Sequence, residues 1–461
     1  MKILVGGDVS FGRIYEDERI SYSAPLCLAS IGKLERDYCI FNLESLFCDD
    51  WEANKRDVDE KWGTSYTHAN LEDVKHLVEC DVDHVSLANN HTLDWGEVGV
   101  EQTCKVLNKF GISHSGCGSD DRTHIDKEKK IIVFSIDTVE CHYKKEDPLN
   151  CKEDIKDFFK EVKELRAKHE DYLLICCVHW GRFRVSPNKG QKSMGRKLID
   201  CGIDVVLGNH SHKVQYFEMY KGKPLFYSLG NLYFTHRNPE YNKLPNVHYA
   251  YLSTLNFEGR EFKGVDHHQT WCNDKKVVLK EEKSSKLGLE ALRLARSYIG
   301  FGESEHTTNV GWFMKHIDAP NKKTAAWCAR FVFYCIKKAC EENGIAPVLE
   351  KNDKTGYAKE LYKQIAEIGY VSLNPMPGDI IAWDRKEEGN KNGHIGIVEY
   401  VEGDKITVIE GNHPPNPGSK VDRFTYSLND LLNYENWDKS DPHFHLFEGF
   451  ARLPHLKELS K

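Results

Sequence analysis

The stretch KILVGGDVSFGR, residues 2–13, sets the reading of the first half of the chain. An apolar run reads as a short strand, and it stops at an acid, Asp8, in a polar turn. The pattern recurs. CIFNLES (39–45) ends at Glu44, VDHVSLANNH (82–91) at Asn90 and His91, LLICCVHWG (173–181) at His179, and IDVVLGNHSH (203–212) at His210 and His212. KKIIVFSID (129–137) and KPLFYSLGNLYF (223–234) read as further strands, and 247–264 as an antiparallel pair. EQTCKVLNKFGI (101–112), residues 152–169 and a segment near 191–201 have helical spacing. Short apolar strands alternating with helices predict an α/β core with covered sheets.

The second half has a different order. GLEALRLARSYIG (288–300), residues 324–343 and residues 356–369 read as helices. The strands IIAWDR, HIGIVEYV and KITVIEGNH follow. Helices first and strands later predict an α+β domain. Between the halves lies the polar, lysine-rich stretch NDKKVVLKEEKSSK. The expected organisation is a domain over 1–270, a linker over 271–287 and a second domain over 288–461. A chain of 461 residues is long enough for this division.

A net charge of −8 argues against nucleic acid as a partner, since phosphate binding needs a basic patch. No apolar run reaches the length of a membrane span. Met1 and Lys2 lead straight into a strand with no apolar stretch before a cleavage site. The expected location is therefore the cytoplasm, with release by lysis or a non-standard export route expected if the substrate is an envelope polymer. Fifteen cysteines are an odd number, and several lie inside apolar runs, which fits buried reduced thiols better than a disulfide framework. With no CxxC pair, a structural Cys-zinc site is not expected.

Polar groups at successive strand ends converge on one edge of an open α/β sheet, where ligand sites form. Asp8, Glu44, Asn90, His91, His179, His210 and His212 all hold such positions. Any one of them alone reads as a capping or hydrogen-bonding residue. Together, carboxylate, amide and imidazole donors suit one or two divalent ions of Mn, Zn or Fe.

GDVSFGR, FNLES, LANNHTLDWG, HWG, GNHSHKVQ and SLGNLYF, in that order over residues 1 to about 240, resemble the motifs of the CapA family of poly-γ-glutamate capsule synthesis proteins. That family has the calcineurin-like metallophosphatase fold. The resemblance implies a four-layer sandwich of two sheets flanked by helices. It implies Asp8, Glu44, Asn90, His179, His210 and His212 as metal ligands, and His91, oriented by Asp94, as the group that protonates the leaving group or stabilises the transition state. One position departs from the wider metallophosphatase pattern: Ser10 stands where Asp-x-His has its histidine, a loss the CapA-like group shares.

In AAWCARFVFYC (325–335) and the residues that follow it, Cys328, Phe331, Val332, Cys335, Ile336 and Ala339 fall on one helical face. A core thiol is the ordinary reading of such a cysteine. Cys328, however, sits in the first turns, where the helix dipole and free N–H groups favour a thiolate and can hold an oxyanion. His394 follows a glycine at the start of HIGIVEYV, and is expected at a strand edge, open to solvent and in reach of a facing helix. Glu410 and Asn412 alternate on the next strand, so both should face one side and one should orient the imidazole. This is a cysteine-hydrolase layout. WCARFV, PMPGDIIAW, GHIGIVE and IEGN, within about 290–455, resemble the CHAP domain, a papain-like cysteine amidohydrolase/peptidase. The resemblance implies Cys328 as nucleophile, His394 as base, and Glu410 with Asn412 as orienting groups.

The expected function is a bifunctional bacterial hydrolase acting on a cell-wall or poly-γ-glutamate-type polymer. One domain is a metal-dependent hydrolase of the phosphoesterase type, acting on a phosphoester or a polyglutamate-type polymer, and the other cleaves amide bonds in peptidoglycan or γ-glutamyl chains. Two alternatives stand beside it. The N-terminal domain is a polymer-binding scaffold for the cysteine enzyme, or the C-terminal domain is a binding module on a phosphatase.

Overall fold

The computed structural model describes residues 1–11, 28–49, 68–117, 121–139, 155–234, 244–272, 276–303, 312–317, 327–349, 357–385, 393–413, 418–433 and 445–455. The chain divides into two compact units, Met1–Glu281 and Glu282–Lys461. Both mix helices and strands. Among the described residues no helix is long and apolar enough to cross a membrane.

The first unit holds two large sheets. One is eight-stranded and runs, in spatial order, Val277–Leu279, Glu261–Cys272, Tyr249–Glu258, Lys2–Val9, Tyr38–Leu43, His84–Ser86 and Ser113–Ser115, with Asn231–Tyr233 also paired to the first strand of the chain. The other is six-stranded: Val214–Tyr220, Lys223–Leu229, Val205–Asn209, Leu173–His179, Ile131–Asp137 and Thr123–Asp126. Lys2–Val9, Tyr38–Leu43 and His84–Ser86 are parallel, as are Ile131–Asp137, Leu173–His179 and Val205–Asn209. Parallel strands share one carboxyl edge, so the polar ends of both sheets collect on one side. Beyond the half-buried Lys2 these strands are buried throughout, which is why they read as continuous apolar runs.

Two glycines let the first strand enter this edge. A Cβ on Gly7 would lie 1.8 Å from the carbonyl oxygen of Gly230. The same carbonyl accepts the backbone N–H of Asp8 at 2.9 Å. The close approach fixes Asp8 between Asn42 on one neighbouring strand and Asn231 on the other, each its register partner.

The stretch expected as a linker is partly built into this unit. Val277–Leu279 pairs antiparallel with Glu261–Cys272, through Thr270 with Leu279 and Cys272 with Val277. The apolar VVL within the lysines is an edge strand. A helix begins a few residues beyond the end of the unit, at Lys286, capped by Ser285, whose side chain accepts from the N–H of Gly288.

The second unit is a six-stranded antiparallel sheet: Tyr370–Ser372, His445–Arg452, Ile380–Arg385, Gly393–Glu402, Lys405–Glu410 and Asp422–Ser427. The helix Cys328–Glu342 packs on Gly393–Glu402 and on the helix Lys286–Ser297. The face read from the sequence is buried, with Cys328, Phe331, Val332, Cys335 and Ile336 in the core. Arg452 is fully buried and ties the turn before Ile380 in place. It meets both oxygens of Asp379 at 2.8 Å and the hydroxyl of Ser372 at 2.9 Å.

Candidate functional sites

In the first unit the strand-end residues meet. Asp8 and Glu44 are completely buried. The Asn42 amide donates to Oδ1 of Asp8 at 2.8 Å, and the backbone N–H of His210 donates to Oδ2 at 3.2 Å. Oε1 of Glu44 lies 3.7 Å from Nε2 of His179, 3.6 Å from Nε2 of His212 and 3.9 Å from Nε2 of His91. Nε2 of His179 is 2.8 Å from Oδ1 of Asn90 and 3.0 Å from Nδ1 of His210. Two groups of donor atoms each fall within 4.8 Å of one another: Asp8, Glu44 and His179, and Glu44, His210 and His212. Glu44 is common to both.

His210 and His212 reach this centre by a route that strand alternation does not describe. Their strand ends at Asn209, and both have left-handed backbones, with φ of 85° and 54°. The turn, not a pleat, aims the two rings. Asp94 lies where its spacing placed it, with Oδ2 2.8 Å from Nδ1 of His91. Ser10 is buried, and its hydroxyl has no hydrogen-bond partner among the described residues.

Burial dominates the electrostatics. It raises the Asp8 carboxyl to about 7, against the lowering effect of the Asn42 and His210 hydrogen bonds. Burial, and then the charge of Asp8, push Glu44 well above the usual carboxylate range. Burial, then the neighbouring His210 and His212, hold the His179 imidazole well below its ordinary value. His212 is lowered to about 4, again mainly by burial. Imidazoles of His179 and His212 held in the neutral form, beside two buried carboxyls, form a donor set suited to a divalent cation.

In the second unit Cys328 opens its helix, directly after Trp327. The Trp327 indole donates to Oε1 of Glu303 at 2.8 Å, and a Cβ on Gly411 would meet its ring at 2.3 Å. The residue before the thiol is thus clamped from two sides. His394 hydrogen-bonds Cys328. Its Nε2 lies 2.7 Å from Oε2 of Glu410, which leaves Nδ1 for the thiol. Burial lowers the pKa of His394, but the charge of Glu410 and the bonds to Cys328 and Glu410 outweigh it and hold the imidazole up at about 10. Burial raises Glu410, and the neighbouring imidazoles overcome this, leaving its carboxyl at about 2. Burial raises the other two thiols of this helix, Cys335 and Cys340.

Two expectations about this site are corrected. His394 is not at an open edge. Its strand runs between Ile380–Arg385 and Lys405–Glu410, and the residue is 5% exposed, with its ring against Trp383 at 5.6 Å. Nor do Glu410 and Asn412 share a strand face. The strand ends at Glu410, and Asn412 follows in a left-handed conformation with φ of 63°. Its Oδ1 is buried with no hydrogen bond among the described residues. The imidazole goes to Glu410.

Sequence reasoning passed over several neighbours. Asn42 and Asn231 flank Asp8, and Oδ1 of Asn231 lies 2.9 Å from Nδ1 of His212. Both stand in the quoted motifs FNLES and SLGNLYF, in register with an expected ligand. Around Glu410, His413 approaches Oε2 at 2.6 Å and Tyr426 donates to Oε1 at 2.7 Å. His413 adjoins the IEGN motif. Tyr426 carries no sequence signal, because its strand had not been read.

The description of a known family, bacterial capsule synthesis protein PGA_cap, fits residues 2–236. The chain belongs to the PGA_cap family. Residues 320–412 match the CHAP domain, so this PGA_cap chain carries a CHAP domain in its C-terminal part. Its N-terminal half is similar to the PGA biosynthesis protein CapA of Bacillus subtilis (strain 168), 28% identical over 247 residues, 50% of this chain and 62% of the relative. It is also similar to the capsule biosynthesis protein CapA of Bacillus anthracis, 25% identical over 248 residues, 50% of this chain and 58% of that one. The chain therefore spans about three fifths of these curated PGA_cap relatives. A solved structure of a hypothetical protein from Thermus thermophilus matches with a TM-score of 0.36 at 14% identity, covering 61% of this chain and 100% of that one.

Proposed function

We propose that this PGA_cap chain is a bifunctional hydrolase of bacterial envelope polymers, with a cysteine amidase in its C-terminal unit and a metal-dependent hydrolase in its N-terminal unit. The observation that carries the reading is the relay Cys328–His394–Glu410, buried at a helix N-terminus. An imidazole held at about 10 keeps its proton at neutral pH. His394 then enters the reaction as an imidazolium hydrogen-bonded to the Cys328 sulfur. The sulfur attacks the amide carbonyl carbon, and the first N–H groups of the helix Cys328–Glu342 face the oxygen that becomes negative. The C–N bond breaks as His394 gives its proton to the departing amine. Water then enters, losing a proton to His394 as it cleaves the thioester and restores the thiol pair. Glu410 holds the ring and its charge throughout. The substrate class is an amide in peptidoglycan peptides or in a γ-glutamyl polymer, as the CHAP and capsule-synthesis resemblances together suggest.

In the N-terminal unit, Asp8, Glu44, Asn90, His179, His210 and His212 would hold one or two divalent ions of Mn, Zn or Fe, with Glu44 shared. The two donor groups that have Glu44 in common support this. Bound there, such an ion supplies Lewis acidity and an easily ionised water. His91 would hand a proton to a leaving oxygen, a role its contact with Asp94 supports. A second reading, a polymer-binding scaffold, is favoured by Ser10, which offers no ring nitrogen to an ion.

Digests of peptidoglycan and poly-γ-glutamate, followed by mass spectrometry with the intact protein and with Cys328→Ala, test the amidase. New amine and carboxyl termini with the intact protein only are expected. Identical digests from both would remove Cys328 from the chemistry.

A further inference from the structure

The first unit holds a third group of metal-type donors, distinct in sequence from the strand-end residues that form the candidate centre. Cys104 lies within the helix Gly96–Lys109, His114 in the strand Ser113–Ser115, and Cys117 just beyond it. One atom of each falls within 4.8 Å of the other two. Nδ1 of His114 is 3.9 Å from Sγ of Cys104 and 3.8 Å from Sγ of Cys117. Sγ of Cys117 also meets Oδ2 of Asp121 at 2.6 Å.

Strand alternation explains the convergence. Ser113 and Ser115 face His84 on the neighbouring strand, bonding its two ring nitrogens at 2.9 and 3.0 Å. His114 must therefore point to the opposite face, and there it meets Cys104 on the helix. The cysteines are distinctive too. Of the twelve described cysteines ten are buried, and only Cys104 and Cys117 are partly exposed. Buried thiols among apolar side chains behave as small hydrophobic groups. These two, partly exposed at the margin of the apolar core, share one imidazole.

We propose that Cys104, His114 and Cys117 form a structural zinc site, with Asp121 closing the fourth position. Two thiolates and an imidazole are the donors zinc takes in tetrahedral sites. Ideal ligand-to-ligand separations in such a site are roughly 3.6–3.8 Å, close to the two sulfur–nitrogen distances here. Asp121 moves back from its contact with Cys117 to bind. Binding displaces one proton from each thiol, so zinc uptake releases two protons. The ion would pin Ser113–Ser115, the outermost strand of its sheet, to the helix that covers it. A search for CxxC misses the site because its ligands are spaced as Cys-x9-His-x2-Cys across a helix and a strand.

Two measurements on the full chain test this. In a metal-stripped Cys328→Ala protein, where the relay thiol cannot compete, Co2+ should produce a near-ultraviolet thiolate-to-cobalt charge-transfer band. The band should disappear in Cys104→Ser and in Cys117→Ser and persist in His210→Ala, which alters only the candidate metal centre at the strand ends. In the unaltered protein, which avoids any variant that fails to fold, Zn2+ should slow iodoacetamide modification of Cys104 and Cys117 at least about tenfold. Absence of the cobalt band, or equal modification with and without Zn2+, would overturn the site. So would a mass two hydrogens lower that maps to a Cys104–Cys117 disulfide in protein purified under reductant.

Discussion

Tyr426 donates its hydroxyl to Oε1 of Glu410 at 2.7 Å, while His394 occupies Oε2 of the same carboxylate, also at 2.7 Å. The tyrosine holds the acid that holds the imidazole. Burial and the charge of Glu410 raise the phenol, so it remains a donor across the working pH range. Removing a hydrogen bond to a charged group costs roughly 1.5–3 kcal/mol. Tyr426→Phe should therefore lower kcat roughly ten- to a hundredfold with little change in KM. An unchanged kcat would show that Glu410 does not need the tyrosine beside its contacts with His394 and His413.

Glu410→Gln should cost more, because the amide cannot carry the charge that keeps His394 protonated. The prediction is a pH–rate profile whose alkaline limb moves from about 10 towards the ordinary imidazole range. A profile identical to that of the unaltered protein would separate Glu410 from the relay.

The same pair makes stability depend on pH, with a definite sign. His394 is raised from 6.5 to about 10, so its contribution is complete below 6.5 and is lost as pH rises towards 10. Glu410 is lowered from 4.5 to about 2, so its contribution is present above 4.5 and is lost as pH falls towards 2. Because this is one ion pair seen from two sides, the gains are not added. The transition of the second unit should be highest between about 4.5 and 6.5, and His394→Gln should flatten the alkaline decline. A decline that persists unchanged in His394→Gln would assign it to other groups.

Chelation should lower the melting transition of the N-terminal unit and leave that of the C-terminal unit in place, since only one would lose bound-ligand free energy. His210→Ala should lower the metal content at the candidate centre and reduce phosphodiester hydrolysis to background. Elemental analysis with unchanged metal per chain would remove His210 from the ligand set.

The apolar strands of the first unit were legible because they are buried on both faces and end abruptly in polar turns. Val214–Tyr220 was not, because Gln215 and Glu218 interrupt it. Both are buried yet paired, Gln215 with Gln191 at 3.0 Å and Glu218 with Arg196 at 2.7 Å. His445–Arg452 escaped for the same reason, since it ends in the buried Arg452. A pattern of hydrophobicity cannot reveal a polar residue satisfied by a distant partner. The site residues at strand ends were legible one by one. The left-handed turns that aim His210, His212 and Asn412 were not, because none of the three positions is a glycine.

Comparison of thiol reactivity along one helix tests the central claim most directly. Cys328, Cys335 and Cys340 share the helix Cys328–Glu342, and only Cys328 has an imidazolium partner among the described residues. Brief exposure of the native protein to iodoacetamide at neutral pH, followed by peptide mapping, should show Cys328 modified ahead of both others. His394→Ala should slow that modification, and amide cleavage should fall in proportion to the Cys328 alkylated. Cys328 reacting no faster than Cys335, with amidase activity intact after its modification, would contradict the account.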